Sequence, residues 1–217
     1  MKKIYNLFLF AILLCFITDT QAQSIIRGPY LQSPAPYSII VRWRTDSLTD
    51  SRVYYGTTLG ANTLHADSAT PTTDHRVKIT GLLPKTKYFY SVGSSTQILR
   101  GSDNQMYFTT SIDSSMSDSV HFWVIGDFGH GNIPQKNVRD SYVNFCANRP
   151  ADFQLWVGDN AYSDGTDAEF QAKVFDTTYS FGNVFLNLPF ISTSGNHDYN
   201  SICPWQNSLG IPVLCSQ

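Results

Sequence analysis

The chain has 217 residues, of which 15% are charged: fifteen Lys and Arg against seventeen Asp and Glu, a formal net charge of -2 at pH 7. A mildly acidic chain without a run of basic residues lacks the electrostatic footprint of a nucleic-acid binder.

Met1-Lys2-Lys3, an apolar stretch from Ile4 to Ile17 and then Thr20-Gln21-Ala22 have the order of a secretory signal peptide, with cleavage expected after Ala22. The apolar core is too short for a comfortable membrane span, and polar Thr18-Asp19-Thr20 follows it. Loss of residues 1–22 removes Lys2, Lys3 and Asp19, taking the charge from -2 to -3. The expected location is therefore secreted or periplasmic, with no membrane attachment after cleavage. Of four cysteines, Cys146, Cys203 and Cys215 remain in a compartment where disulfides persist. Cys203 and Cys215 enclose a short loop and are the expected pair; Cys146 falls on an apolar helix face and is expected to be buried.

Residues 23–111 read as all-β. Ser38 to Arg44 alternates with Ile39, Val41 and Trp43 on one face, and Arg52 to Tyr55, Arg76 to Ile79 and Tyr88 to Val92 follow at sandwich-like spacing. The segment from Thr80 to Tyr88 resembles the corner of fibronectin type III domains, where a tyrosine hydroxyl bonds back to the upstream backbone. Trp43 belongs in that core. A Ser- and Asp-rich stretch, residues 112–119, marks a linker.

From Val120 the pattern becomes strand, helix, strand, helix, strand. The apolar runs end at Ile125, Val157 and Thr193. They are short and β-prone, as buried parallel strands are. Pro134 suits a helix first turn, and Val138, Tyr142 and Phe145 supply the expected buried stripe. A second helix is expected over residues 167–178. Each strand leads into a polar block: Gly126-Asp127-Phe128-Gly129, Gly158-Asp159-Asn160-Ala161-Tyr162 and Gly195-Asn196-His197-Asp198. Ligand sites of open α/β sheets form at these carboxyl ends. Carboxylate, amide, phenol and imidazole at three neighbouring strand ends are the donors of a two-metal centre.

The blocks, in this order, resemble the metallophosphoesterase superfamily and within it the purple acid phosphatases, with their GDxG, GDxxY and GNH[DE] motifs. Arg27-Gly28-Pro29-Tyr30-Leu31-Gln32 and Val53-Tyr54-Tyr55-Gly56 resemble the domain that precedes the catalytic part in larger members. The implied fold is a fibronectin type III-like β-sandwich followed, over residues 120–217, by the N-terminal half of an α/β metallophosphoesterase domain. The later VxxH and GHxH blocks do not occur before Gln217, so the chain reads as truncated and, alone, inactive.

The resemblance makes Asp127, Asp159, Tyr162 and Asn196 metal ligands, Asp159 bridging, and His197 the group that binds phosphate and protonates the leaving alkoxide. Asp198 would orient His197. Gly129 and Tyr162 stand where other members carry imidazole and carboxylate. A phenolate favours a trivalent ion, so the implied cofactor is Fe(III) with a divalent partner, Zn, Mn or Fe. The implied activity is hydrolysis of small-molecule phosphate monoesters by metal-bound hydroxide at acid pH. A phosphodiesterase of the same superfamily and a non-catalytic β-sandwich binding or adhesion protein are the rivals. His130 is expected at a loop or rim, and His65, His75 and His121 at the surface or a strand edge.

Overall fold

A computed structural model describes residues 23–60 and 63–199. The leader and the Cys203 and Cys215 pair lie outside the described residues. Among those described, no helix is long and apolar enough to cross a membrane.

The N-terminal part contains β1 (Ile25–Gln32), β2 (Ser38–Gly56), β3 (Leu64–Thr80), β4 (Lys87–Gly93), β5 (Ile98–Arg100) and β6 (Tyr107–Thr109). Strand β2 pairs antiparallel with β1, β3 and β4. It therefore carries both expected strands in one continuous run. Alternation delivers Ile39, Val41, Trp43, Val53 and Tyr55 from β2 and Tyr88, Tyr90 and Val92 from β4 into one core. The corner forms as expected: the backbone N–H of Leu83 donates to the Tyr88 hydroxyl at 3.0 Å.

Two expectations fail here. Strand β3 begins at Leu64, twelve residues before the expected Arg76, because an exposed polar ribbon pairs with β2 without any hydrophobic alternation. His75, expected at the surface or an edge, is fully buried. It stacks on Trp43 with ring centroids 4.7 Å apart, and its two nitrogens meet Thr45 Oγ1 at 2.7 Å and Ser51 Oγ at 2.8 Å. Two hydroxyls satisfy both ring nitrogens, so burial is affordable. It pushes the imidazole pKa down, against the charges of Asp74 and Asp50.

The C-terminal part runs β7 (Phe122–Ile125), α1 (Ile133–Cys146), β8 (Phe153–Val157), α2 (Asp167–Lys173) and β9 (Phe190–Thr193). The three strands are parallel, with β8 in the middle. Among the described residues this unit is three strands and two α-helices with two short 3₁₀ turns, short of a complete α/β domain, and strand outweighs helix overall.

Helix α1 is capped by Asn132, whose side chain accepts from the Gln135 N–H. Its expected buried stripe is not buried: Val138 is 50% and Phe145 77% exposed. Tyr142 alone stacks on the sheet, against Trp123 at 3.9 Å, while Arg139 reaches the carbonyls of Thr177, Thr178 and Ser180. Cys146 is half-buried. Helix α2 stops at Lys173, five residues before the expected end. Asp176 accepts from the backbone N–H groups of Thr178 and Tyr179, a side-chain-closed turn that competes with helix.

Strand β1 joins the two parts. Successive residues face opposite ways, so Leu31 enters the sandwich core while Tyr30 enters a second, aromatic core with Phe128, Trp156, Phe170, Phe175, Phe181, Phe185 and Phe190. Gln32 pairs with Phe190, which makes β9 a parallel neighbour of β1 and runs the sheet through the joint. The Tyr90 hydroxyl donates to the Leu186 carbonyl at 2.7 Å across the same boundary.

Candidate metal centre

Adjacent parallel strands bring the three polar blocks to one sheet edge. Asp127 and Asp159 each follow a strand-ending glycine and share an unusual backbone, with φ of 52° and 50°. Left-handed φ in a non-glycine residue costs conformational energy and clusters at functional sites. The blocks then close on each other through glycine. A Cβ on Gly129, whose φ is +81°, would stand 2.0 Å from the Asn160 carbonyl oxygen, and one on Gly195 would stand 2.1 Å from Asp159 Oδ1.

This packing converges three oxygens. The Tyr162 hydroxyl donates to Asp127 Oδ1 at 2.9 Å and lies 3.4 Å from Asp159 Oδ2. Desolvation, then the Asp127 hydrogen bond and the charges of both carboxylates, raise the phenol pKa well above its ordinary value. Between carboxylates alone the phenol keeps its proton. A hard cation among the same oxygens would reverse the sign of that field.

The backbone N–H of His197 donates to Asp159 Oδ1 at 3.0 Å, and its Nδ1 lies 2.8 Å from the Ser163 carbonyl. A carbonyl can only accept, so Nδ1 carries the hydrogen and Nε2 is the ring nitrogen left to face other groups. Tyr162 neighbours two imidazoles: its ring centroid is 4.7 Å from that of His197 and 4.1 Å from that of His130, which stacks on it at 9°. His130 is exposed, as a rim residue is, but it borders the site. Its place three positions after Asp127 is the signal for that contact.

Asp198 does not orient His197. The residue is 3% exposed, and its carboxylate accepts from the backbone N–H groups of Asn160, Ala161 and Gly195 and from Asn160 Nδ2. The reason is its place within the short 3₁₀ turn His197–Tyr199, which turns it toward the second block. Burial raises its pKa against those donors. Asn196 is exposed and makes no side-chain hydrogen bond to the Asp127, Asp159 and Tyr162 group.

The donor set fits a hard cation in part. Among the described residues no group of three or more His, Cys, Asp and Glu is placed to hold an ion. What converges is two carboxylates and a phenol, all oxygen donors suited to a hard di- or trivalent ion.

Comparison with known proteins bears mainly on the N-terminal part of the chain. Residues 27–110 match the family described as "Purple acid Phosphatase, N-terminal domain". That part of the chain is similar to such a domain. The curated "Acid phosphatase type 7" of Danio rerio is 26% identical over 184 residues, which are 75% of this chain and 37% of that protein. The chain thus spans little more than a third of that relative's length. The solved structure described as "Structure of PhoD" superposes with a TM-score of 0.55 at 10% identity, over 78% of this chain and 38% of that one, a likeness of fold.

Proposed function

We propose that residues 120–199 belong to the catalytic part of a metal-dependent acid phosphatase, the N-terminal half of a metallophosphoesterase domain. The observation that carries this reading is the Tyr162 hydroxyl standing between Asp127 and Asp159 at the carboxyl ends of adjacent parallel strands. The N-terminal domain match and the acid phosphatase relative support it.

Asp127, Asp159 and Tyr162 would hold the ions, with Asn196 as a further amide donor; Asp159, which follows β8, is the carboxylate that would be shared between them. The phenolate favours Fe(III) beside a divalent Zn, Mn or Fe. Such ions, when bound, neutralise charge on phosphoryl oxygens and acidify water. His197, its Nδ1–H fixed on the Ser163 carbonyl, presents Nε2 as the proton donor to a departing alkoxide. The substrate class is a small-molecule phosphate monoester. The leader-like residues 1–22 favour action outside the cytosol, secreted or periplasmic.

The test is turnover of p-nitrophenyl phosphate and of bis(p-nitrophenyl) phosphate by the full-length protein, before and after chelation. The reading expects monoester hydrolysis that chelation abolishes and metal restores. Preference for the diester would favour a phosphodiesterase, and no hydrolysis of either would favour a binding protein.

A further inference from the structure

Arg27 stands on β1 of the sandwich and is buried, yet its partners lie across the joint on α2. Its Nε donates to Gln171 Oε1 at 2.6 Å, its Nη1 to Asp167 Oδ1 at 2.9 Å and its Nη2 to the Asp167 carbonyl at 3.0 Å. The guanidinium also lies 5.0 Å from the Phe175 ring centroid. Arg44 of β2 donates to both oxygens of the same carboxylate, at 2.9 and 2.7 Å. A planar fork engaged at every nitrogen has little freedom to rotate, so α2 is held in one orientation on the sandwich.

From α2 the constraint passes to the site. Glu169 accepts from the backbone N–H groups of Ser163, Asp164 and Thr166, and Lys173 donates to the Tyr162 carbonyl. Together these bonds engage the backbone from Tyr162 to Thr166. That loop carries the phenol and supplies the Ser163 carbonyl on which His197 rests.

We propose that Arg27 and Asp167 are positioning residues: through α2, the N-terminal sandwich sets the placement of Tyr162 and His197. The catalytic consequence rests on the phosphatase reading; the mechanical one does not. Asp167 is the residue to alter, because its side chain is half exposed while that of Arg27 is buried.

The experiment uses the full-length protein, with hydrogen exchange read by mass spectrometry beside steady-state kinetics. In Asp167→Ala, amides of residues 162–169 should exchange about tenfold faster while strands 39–43 and 88–92 keep their protection. Asp167→Asn, which keeps an acceptor for Arg27, should restore part of that protection. kcat should fall about tenfold in Asp167→Ala with KM little changed, as misplacement of a catalytic group produces. Unchanged exchange over 162–169, or a rise shared equally by the sandwich strands, would overturn the proposal. Absence of turnover in the wild type would sink the phosphatase reading instead and leave the exchange result to decide the positioning role.

Discussion

Asp198 accepts from both nitrogens of Asn160, the backbone N–H at 3.1 Å and the side-chain Nδ2 at 2.9 Å, and so binds the third strand-end block to the second. Both of its oxygens are acceptors, because Gly195 and Ala161 donate to them as well. Asp198→Asn would turn an amide NH2 toward at least one of these donors. The expected loss is about 2 kcal/mol, the scale of a buried donor left unsatisfied. Urea denaturation should show it, and an unchanged midpoint would count against the knot.

Glu169 makes α2 acid-sensitive. Burial opposes its ionisation, but Lys173 and the backbone N–H groups of Thr166, Asp164 and Ser163 outweigh burial and bring its pKa down to about 2, from an ordinary value of 4.5. A carboxylate whose pKa falls on folding stabilises above its unfolded pKa, and that contribution is lost as pH falls through the folded value. Glu169→Gln should therefore be less stable than wild type at pH 6, with the gap closing between about pH 4.5 and 2. A gap independent of pH across that range would refute the assignment.

His75 gives the sandwich its own pH dependence, of opposite charge type. Desolvation lowers the imidazole pKa in the fold, so the unfolded chain binds the proton more readily. Stability should fall as pH drops below about 6.5, the ordinary histidine value, until the folded pKa is passed. His75→Gln should lose that slope, read from thermal melts across pH 7 to 5. A slope preserved in the variant would place the titrating group elsewhere.

The parts of the fold legible in sequence are those written in local pattern. Ile39, Val41 and Trp43 alternate, the Tyr88 corner has its spacing, and Asp127, Asp159, Asn196 and His197 follow apolar runs at their strand ends. What was not legible depends on partners far along the chain. The polar first half of β3 is a strand only because β2 runs beside it. His75 is buried because Thr45 and Ser51 happen to satisfy both nitrogens. The α1 stripe has correct helical periodicity, yet Val138 and Phe145 have no layer over them among the described residues. Asp198 follows His197 directly in sequence, and only the 3₁₀ turn directs it to Asn160 instead. Arg27 and Asp167, 140 positions apart, have no local signature at all.

On the proposed reading, Asp127, Asp159 and Tyr162 converge to hold a metal through a tyrosinate. The most direct measurement is the visible absorption spectrum of the full-length protein with its metal content, in wild type and in Tyr162→Phe, which keeps the ring and deletes the oxygen. Bound iron is expected, with a phenolate-to-iron charge-transfer band that the substitution abolishes and His197→Ala leaves in place. A wild-type protein that binds metal without such a band, or a band that persists in Tyr162→Phe, would contradict it.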